Sequence, residues 1–181
     1  MNAKQNQRKL AVPVGPRDHI QGLETAPITL VEYGDFECPH SQRAVDIVQE
    51  IQARLGDRVR FVFRHFPLTQ KHPHAQQASE AAEAAAAQGK FWEMYQMLFE
   101  NQYALDEEDL VSYAEALDLD PDHFERELEG HVHAERVKED VRSGLDSGAT
   151  GTPEFYVNGL LHSGDYDIES LWGTIQRTGL V

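Results

Sequence analysis

Val31-Glu32-Tyr33-Gly34-Asp35-Phe36-Glu37-Cys38-Pro39-His40-Ser41 contains the single cysteine of the chain and joins two segments of different hydrophobic period. Ahead of the cysteine, Ile28-Thr29-Leu30-Val31-Glu32-Tyr33 is rich in β-branched and aromatic residues with apolar residues on both faces. That pattern predicts a strand buried inside a sheet, with one charge, Glu32, within it. Beyond the cysteine, Ala44, Val45, Ile47, Val48, Ile51 and Leu55 recur at helical spacing until Gly56-Asp57 supplies a stop. Cys38 therefore falls at a helix N-terminus. Val59-Arg60-Phe61-Val62-Phe63 reads as a second strand, and two strands joined through one helix are normally parallel with a right-handed crossover.

A long helical stretch is expected next. Ala75 to Ala87 is alanine-rich, Phe91 to Phe99 carries an aromatic and methionine stripe, and Asp106 to Leu117 opens on an Asp cap. Asp120-Pro121 starts a further helix that runs to about Leu145, with proline at the first helical position where its missing N–H costs nothing. Residues 67 to about 130 thus read as a helical insertion, its core formed by the stripe around Phe91, Trp92, Met94, Tyr95 and Leu98. Phe155-Tyr156-Val157, Asn158-Gly159 and Leu160-Leu161-His162 spell a hairpin, because both turn positions favour positive φ. Asp167 then caps a last helix bearing Ile168, Leu171, Trp172 and Ile175. Residues 1–26 lack periodicity and read as an arm or a short early strand ahead of a main domain over 27–181.

With 181 residues and 40% hydrophobic composition, the chain can bury one proper core, and one cysteine excludes a disulfide scaffold. Thirty-one acidic against 16 basic residues leave a net charge of −15, which opposes attraction to nucleic acid and anionic membranes. No apolar run approaches the roughly 20 residues of a membrane-spanning helix, and no signal-peptide pattern opens the chain. The expectation is a cytoplasmic protein, with a processed exported form as the alternative that would read the same, and with neither nucleic-acid nor membrane partner.

The element order, the stretch from Val31 to His40, and Gly151-Thr152-Pro153-Glu154-Phe155-Tyr156-Val157-Asn158-Gly159 together resemble the DsbA-like branch of the thioredoxin superfamily, from about residue 20 onward. The resemblance implies an α/β thioredoxin fold, a central mixed sheet flanked by helices with an inserted helical subdomain, and thiol-disulfide oxidoreductase activity. It also implies that Pro153 is a cis-proline facing Cys38, that Thr152 and Pro39 help bind substrate, and that Glu32 is a buried acid able to relay protons. One position departs from the family pattern: the second active-site cysteine is replaced by Ser41.

Cys38 at a helix N-terminus faces unpaired N–H groups and the positive end of the dipole, both favouring thiolate over thiol, and His40 would add donors. Ser41 cannot resolve a mixed disulfide, since an alcohol is not a thiolate near neutral pH. Catalysis is thus expected from Cys38, His40, Ser41 and Glu32 by a single-thiol route, with a thiol- or disulfide-bearing protein or glutathione as co-substrate. A non-catalytic peptide-binding module and a Cys-to-Ser variant of a dithiol C-P-H-C enzyme are the alternatives. His65, His72 and His74, with His131 and His133, match no zinc spacing, so neither metal nor other resident cofactor is expected.

Overall fold

The computed structural model describes residues 8–181. At its centre, β2 (Ile28–Gly34) and β3 (Val59–His65) pair in parallel from Ile28 opposite Val59 to Gly34 opposite His65, joined by α1 (Pro39–Leu55). Antiparallel β1 (His19–Gln21) lines the far side of β3, while β4 (Glu154–Val157) and β5 (Leu160–Leu161) extend the sheet beyond β2. The five-stranded order is β1-β3-β2-β4-β5, a mixed sheet of the expected thioredoxin type. Asn158 and Gly159 both take positive φ in the hairpin turn, as that dipeptide favours.

Side chains alternate along the strands, so each sheet face has its own core. On one face Ile28, Leu30, Phe61, Phe63, Phe155 and Val157 pack with Ala44, Val48 and Ile51 of α1. Period two places Glu32 in the same row as Ile28 and Leu30. On the other, Val31, Tyr33, Val62 and Tyr156 pack with Phe66 and with Val141 of α6 (Ala134–Ser147). Gly144 allows α6 this close approach, because a Cβ there would lie 2.7 Å from the Phe66 ring. Between β3 and α6 lie α2 (Ala75–Ala87), α3 (Phe91–Glu100), α4 (Glu107–Ala116) and α5 (Pro121–Glu129), whose buried Phe91, Met94, Leu98, Leu110 and Phe124 join the first core. The closing helix α7 (Ile168–Gln176) is capped by the Asp167 carboxylate, which accepts from Ser170 N–H.

One expectation needs correction. The single helix read from Pro121 to about Leu145 is broken between Glu129 and Ala134. His131 adopts φ 48° there, and the N–H groups of Gly130, His131 and Val132 fold back onto the carbonyls of Arg126, Leu128 and Glu127. The break lets His131 reach the buried Glu80 on α2 at 3.1 Å. Of the arm or short early strand expected over 1–26, residues 1–7 lie outside the described residues; within the rest, His19–Gln21 forms the early strand β1, and the segment from residue 8 onward is tied to the sheet. Buried Arg64 donates to Asp18 and to the carbonyls of Val12 and Pro13, and Leu10 N–H donates to Gly159 O. Among the described residues, no helix is long and apolar enough to cross a membrane.

Candidate active site around Cys38

The backbone turns sharply where β2 ends, and Asp35 organises that turn. Its buried carboxylate accepts from Glu37 N–H at 2.8 Å, from Leu68 N–H at 2.8 Å and from His72 Nδ1 at 2.7 Å. The Asp35 carbonyl accepts from Cys38 N–H at 3.1 Å, and its own N–H donates to Ser41 Oγ at 3.2 Å. Both ends of the Asp35–Ser41 segment are thereby locked, and the 67–74 loop is clamped against it. An Asp bonding the N–H two residues on is a local turn device, a signal present in the sequence but not read there.

Cys38 is the residue at the N-cap of α1, followed by Pro39 at the first helical position. It is buried, and its Sγ lies 3.5 Å from the carbonyl oxygen of Thr152. Pro153 follows through a cis peptide bond. Residues 114 positions apart thus meet at the sulfur. The loop before Pro153 is held by the Glu154 carboxylate, which accepts from Thr150 N–H at 2.8 Å. Gln102, from the helical insertion, donates to Phe36 O at 2.7 Å and to Cys38 O at 2.9 Å. No motif marked Gln102, because its role depends on the insertion docking over the active-site turn.

Ser41 is buried one turn into α1, and its hydroxyl oxygen is taken up by Asp35 N–H. The donation expected from His40 toward the thiol is not made: His40 is exposed on α1, and its imidazole has no hydrogen bond among the described residues. Pro39 is also exposed and lines a cleft of about 330 Å³ together with Glu37, His72, His74, Tyr103 and Asp106. Glu37 accepts from His74 N–H at 2.7 Å and pairs with its Nδ1 at 3.1 Å, and this bond raises the His74 imidazolium above the ordinary range.

Glu32 is fully buried, and among the described residues neither carboxylate oxygen has a hydrogen-bond partner. Burial pushes its carboxyl up to about 8, so the protonated form prevails at neutral pH. It sits between Phe63 on β3 and Phe155 on β4 in register, on the sheet face covered by α1.

The histidines noted in the sequence are not brought together as a group. His72 meets Asp35, His74 meets Glu37, His131 meets Glu80, and His133 meets Glu127. His65 instead joins His19 and Glu83, two residues that sequence spacing did not single out. Burial alone would raise the Glu83 carboxyl, but the hydrogen bonds from His19 and His65 outweigh it and hold it well below the usual carboxylate range.

The family model described as Thioredoxin matches residues 15–177. The chain belongs to the thioredoxin family. Within that family its architecture is DsbA-like. BdbD from Bacillus subtilis, solved in the oxidised state, superposes with a TM-score of 0.79 at 25% identity, over 87% of this chain and 90% of that one. A thioredoxin-like oxidoreductase from Silicibacter pomeroyi DSS-3 gives 0.77 at 25% identity, over 92% and 95%. Among curated sequences, a protein named Na(+)/H(+) antiporter NhaA 1 from Salinispora arenicola is 50% identical over 163 residues, covering 90% of this chain and 25% of the relative. NhaA 3 from Salinispora tropica gives the same figures. This thioredoxin-family chain therefore spans about a quarter of the length of those relatives.

Proposed function

We propose that the protein is a thiol-disulfide oxidoreductase working through Cys38 alone. What supports this is one juxtaposition: a cysteine at the N-terminus of α1 with its sulfur 3.5 Å from the Thr152 carbonyl beside cis-Pro153. An extended substrate strand can pair with the backbone at Thr152 and so bring a disulfide to the sulfur.

The Cys38 thiolate attacks one sulfur of the substrate disulfide. A Cys38–S–S–R bond forms, the original S–S bond breaks, and the departing thiolate takes up a proton. Glu32, protonated at neutral pH and lying under α1, is suited to exchange that proton. Since the Ser41 hydroxyl is no leaving or attacking thiol, an external thiol must attack the mixed disulfide and release Cys38. Glutathione and cysteine-bearing proteins belong to the co-substrate class. In the cytoplasmic setting expected from the sequence, the poise favours reduction and removal of thiol adducts over disulfide formation.

The test is incubation with oxidised glutathione followed by intact-mass measurement. A single adduct that maps to Cys38, persists without added thiol and disappears on adding reduced glutathione is the expected outcome. A Cys38 that stays unmodified while iodoacetamide also reacts slowly would refute the enzymatic reading and leave a peptide-binding module.

A further inference from the structure

Three side chains from three different elements converge away from Cys38: His19 on β1, His65 on β3 and Glu83 on α2. His19 Nε2 and His65 Nε2 each lie 2.8 Å from the same oxygen, Glu83 Oε1. All three candidate ligand atoms fall within 4.8 Å of one another. Bond lengths of about 2.0–2.2 Å in a tetrahedral zinc site imply ligand-to-ligand edges of about 3.3 Å, a spacing lying between these two distances.

From this convergence we infer a binding site for a divalent transition-metal ion of the zinc class, formed by His19 Nε2, His65 Nε2 and the Glu83 carboxylate, with a fourth position open to water. Two imidazole nitrogens and one carboxylate oxygen form a ligand set suited to zinc.

The surroundings hold these groups in place before any ion arrives. The His19 ring stacks on Phe91 at 3.5 Å between centroids, and the His65 ring is walled by Phe36, Phe63 and Phe91. His65 N–H donates to Asp140 at 3.0 Å, fixing the end of β3. The side chains of His65 and Glu83 are 0% and 8% exposed and that of His19 is 16% exposed, so solvent reaches the site from the β1 side.

His65 Nδ1 is buried with no hydrogen-bond partner among the described residues. While Nε2–H donates to Glu83, that nitrogen is a bare lone pair among aromatic rings. A cation on Nε2 moves the ring proton to Nδ1, where an N–H is the better neighbour for π faces. The charge around the site also suits a cation. Arg136 Nε is 3.9 Å from Glu83 Oε1, but Arg136 is paired with Asp140, and nearby Arg64 is paired with Asp18. With neutral imidazoles, Glu83 supplies the remaining negative charge. Occupancy would pin the N-terminal segment and the helical insertion to the central sheet.

The test uses the full chain carrying Cys38→Ala, so that the thiol cannot bind metal. Zinc alone is titrated against a chromogenic chelator, and cobalt is added in parallel. The expected result is one Zn²⁺ per chain and a tetrahedral Co²⁺ absorption without a thiolate band. His19→Asn and Glu83→Gln should each weaken zinc binding at least about tenfold, with circular dichroism recording the fold. If Glu83→Gln unfolds, the partly exposed His19→Asn decides. No zinc uptake at micromolar concentration, or uptake that these substitutions leave unchanged, overturns the assignment.

Discussion

Glu32→Gln isolates the energetic consequence of burying an unpaired carboxyl between β3 and β4. The folded carboxyl titrates at about 8 against an ordinary 4.5, so between those values the folded state binds more protons than the unfolded one. Stability therefore falls as pH rises through that window, by up to 1.36 kcal/mol per pH unit. Below the lower value both states are protonated and the acid costs nothing through ionisation. By pH 7 the accumulated penalty is about 3 kcal/mol, and by pH 9 it levels off at about 5 kcal/mol. Glutamine cannot ionise. Its own amide, buried without partners, imposes a cost that does not change with pH. Subtracting the urea-unfolding free energies of the parent from those of Glu32→Gln at pH 5, 6, 7, 8 and 9 cancels every other titrating group. The difference should climb steadily from pH 5 to pH 8 in favour of the variant and then flatten. A difference that stays constant with pH would refute the claim that Glu32 is held protonated by burial, and with it the proton-exchange role.

Three further outcomes test separate parts of the site and its scaffold. Ser41→Cys places a second thiol one turn from Cys38 and should convert a persistent glutathione adduct into a transient one, raising disulfide-exchange turnover at least about tenfold; an adduct equally persistent by intact-mass measurement would contradict the single-thiol mechanism. Gln102→Ala strips the hydrogen bonds from the buried carbonyls of Phe36 and Cys38. It should cost about 2–3 kcal/mol in denaturant unfolding and speed alkylation of Cys38 as the turn loosens. Gly144→Ala gains helix propensity of up to about 1 kcal/mol, yet its Cβ would meet the Phe66 ring at 2.7 Å. Overpacking of about 1–3 kcal/mol should win, read as a lower thermal midpoint.

The thioredoxin architecture was legible in the sequence wherever local pattern and tertiary fate coincide. The buried strands carry continuous apolar runs, α1 and α7 have spaced apolar faces, and Asp120-Pro121 and Asn158-Gly159 mark a helix start and a hairpin. These are short-range preferences of the backbone, visible in any window of about ten residues. The break at Gly130–His133 escaped because both flanking segments favour helix, and the reward for turning, His131 reaching Glu80, lies on another element.

By itself, the sequence determined that one cysteine would sit at a helix start after a buried strand; the Thr-Pro loop far along the chain entered as its counterpart only through the resemblance to the DsbA-like family. Only the tertiary structure decided what surrounds that sulfur. Asp35 bonding Leu68 and His72, Gln102 spanning Phe36 and Cys38, the partnerless carboxyl of Glu32, and His19 meeting His65 over Glu83 are all through-space relations. Their residue types occur throughout ordinary sequences and carry no local signal. Hydrogen bonds and burial between distant segments have energies set by position in the fold, which spacing along the chain does not encode.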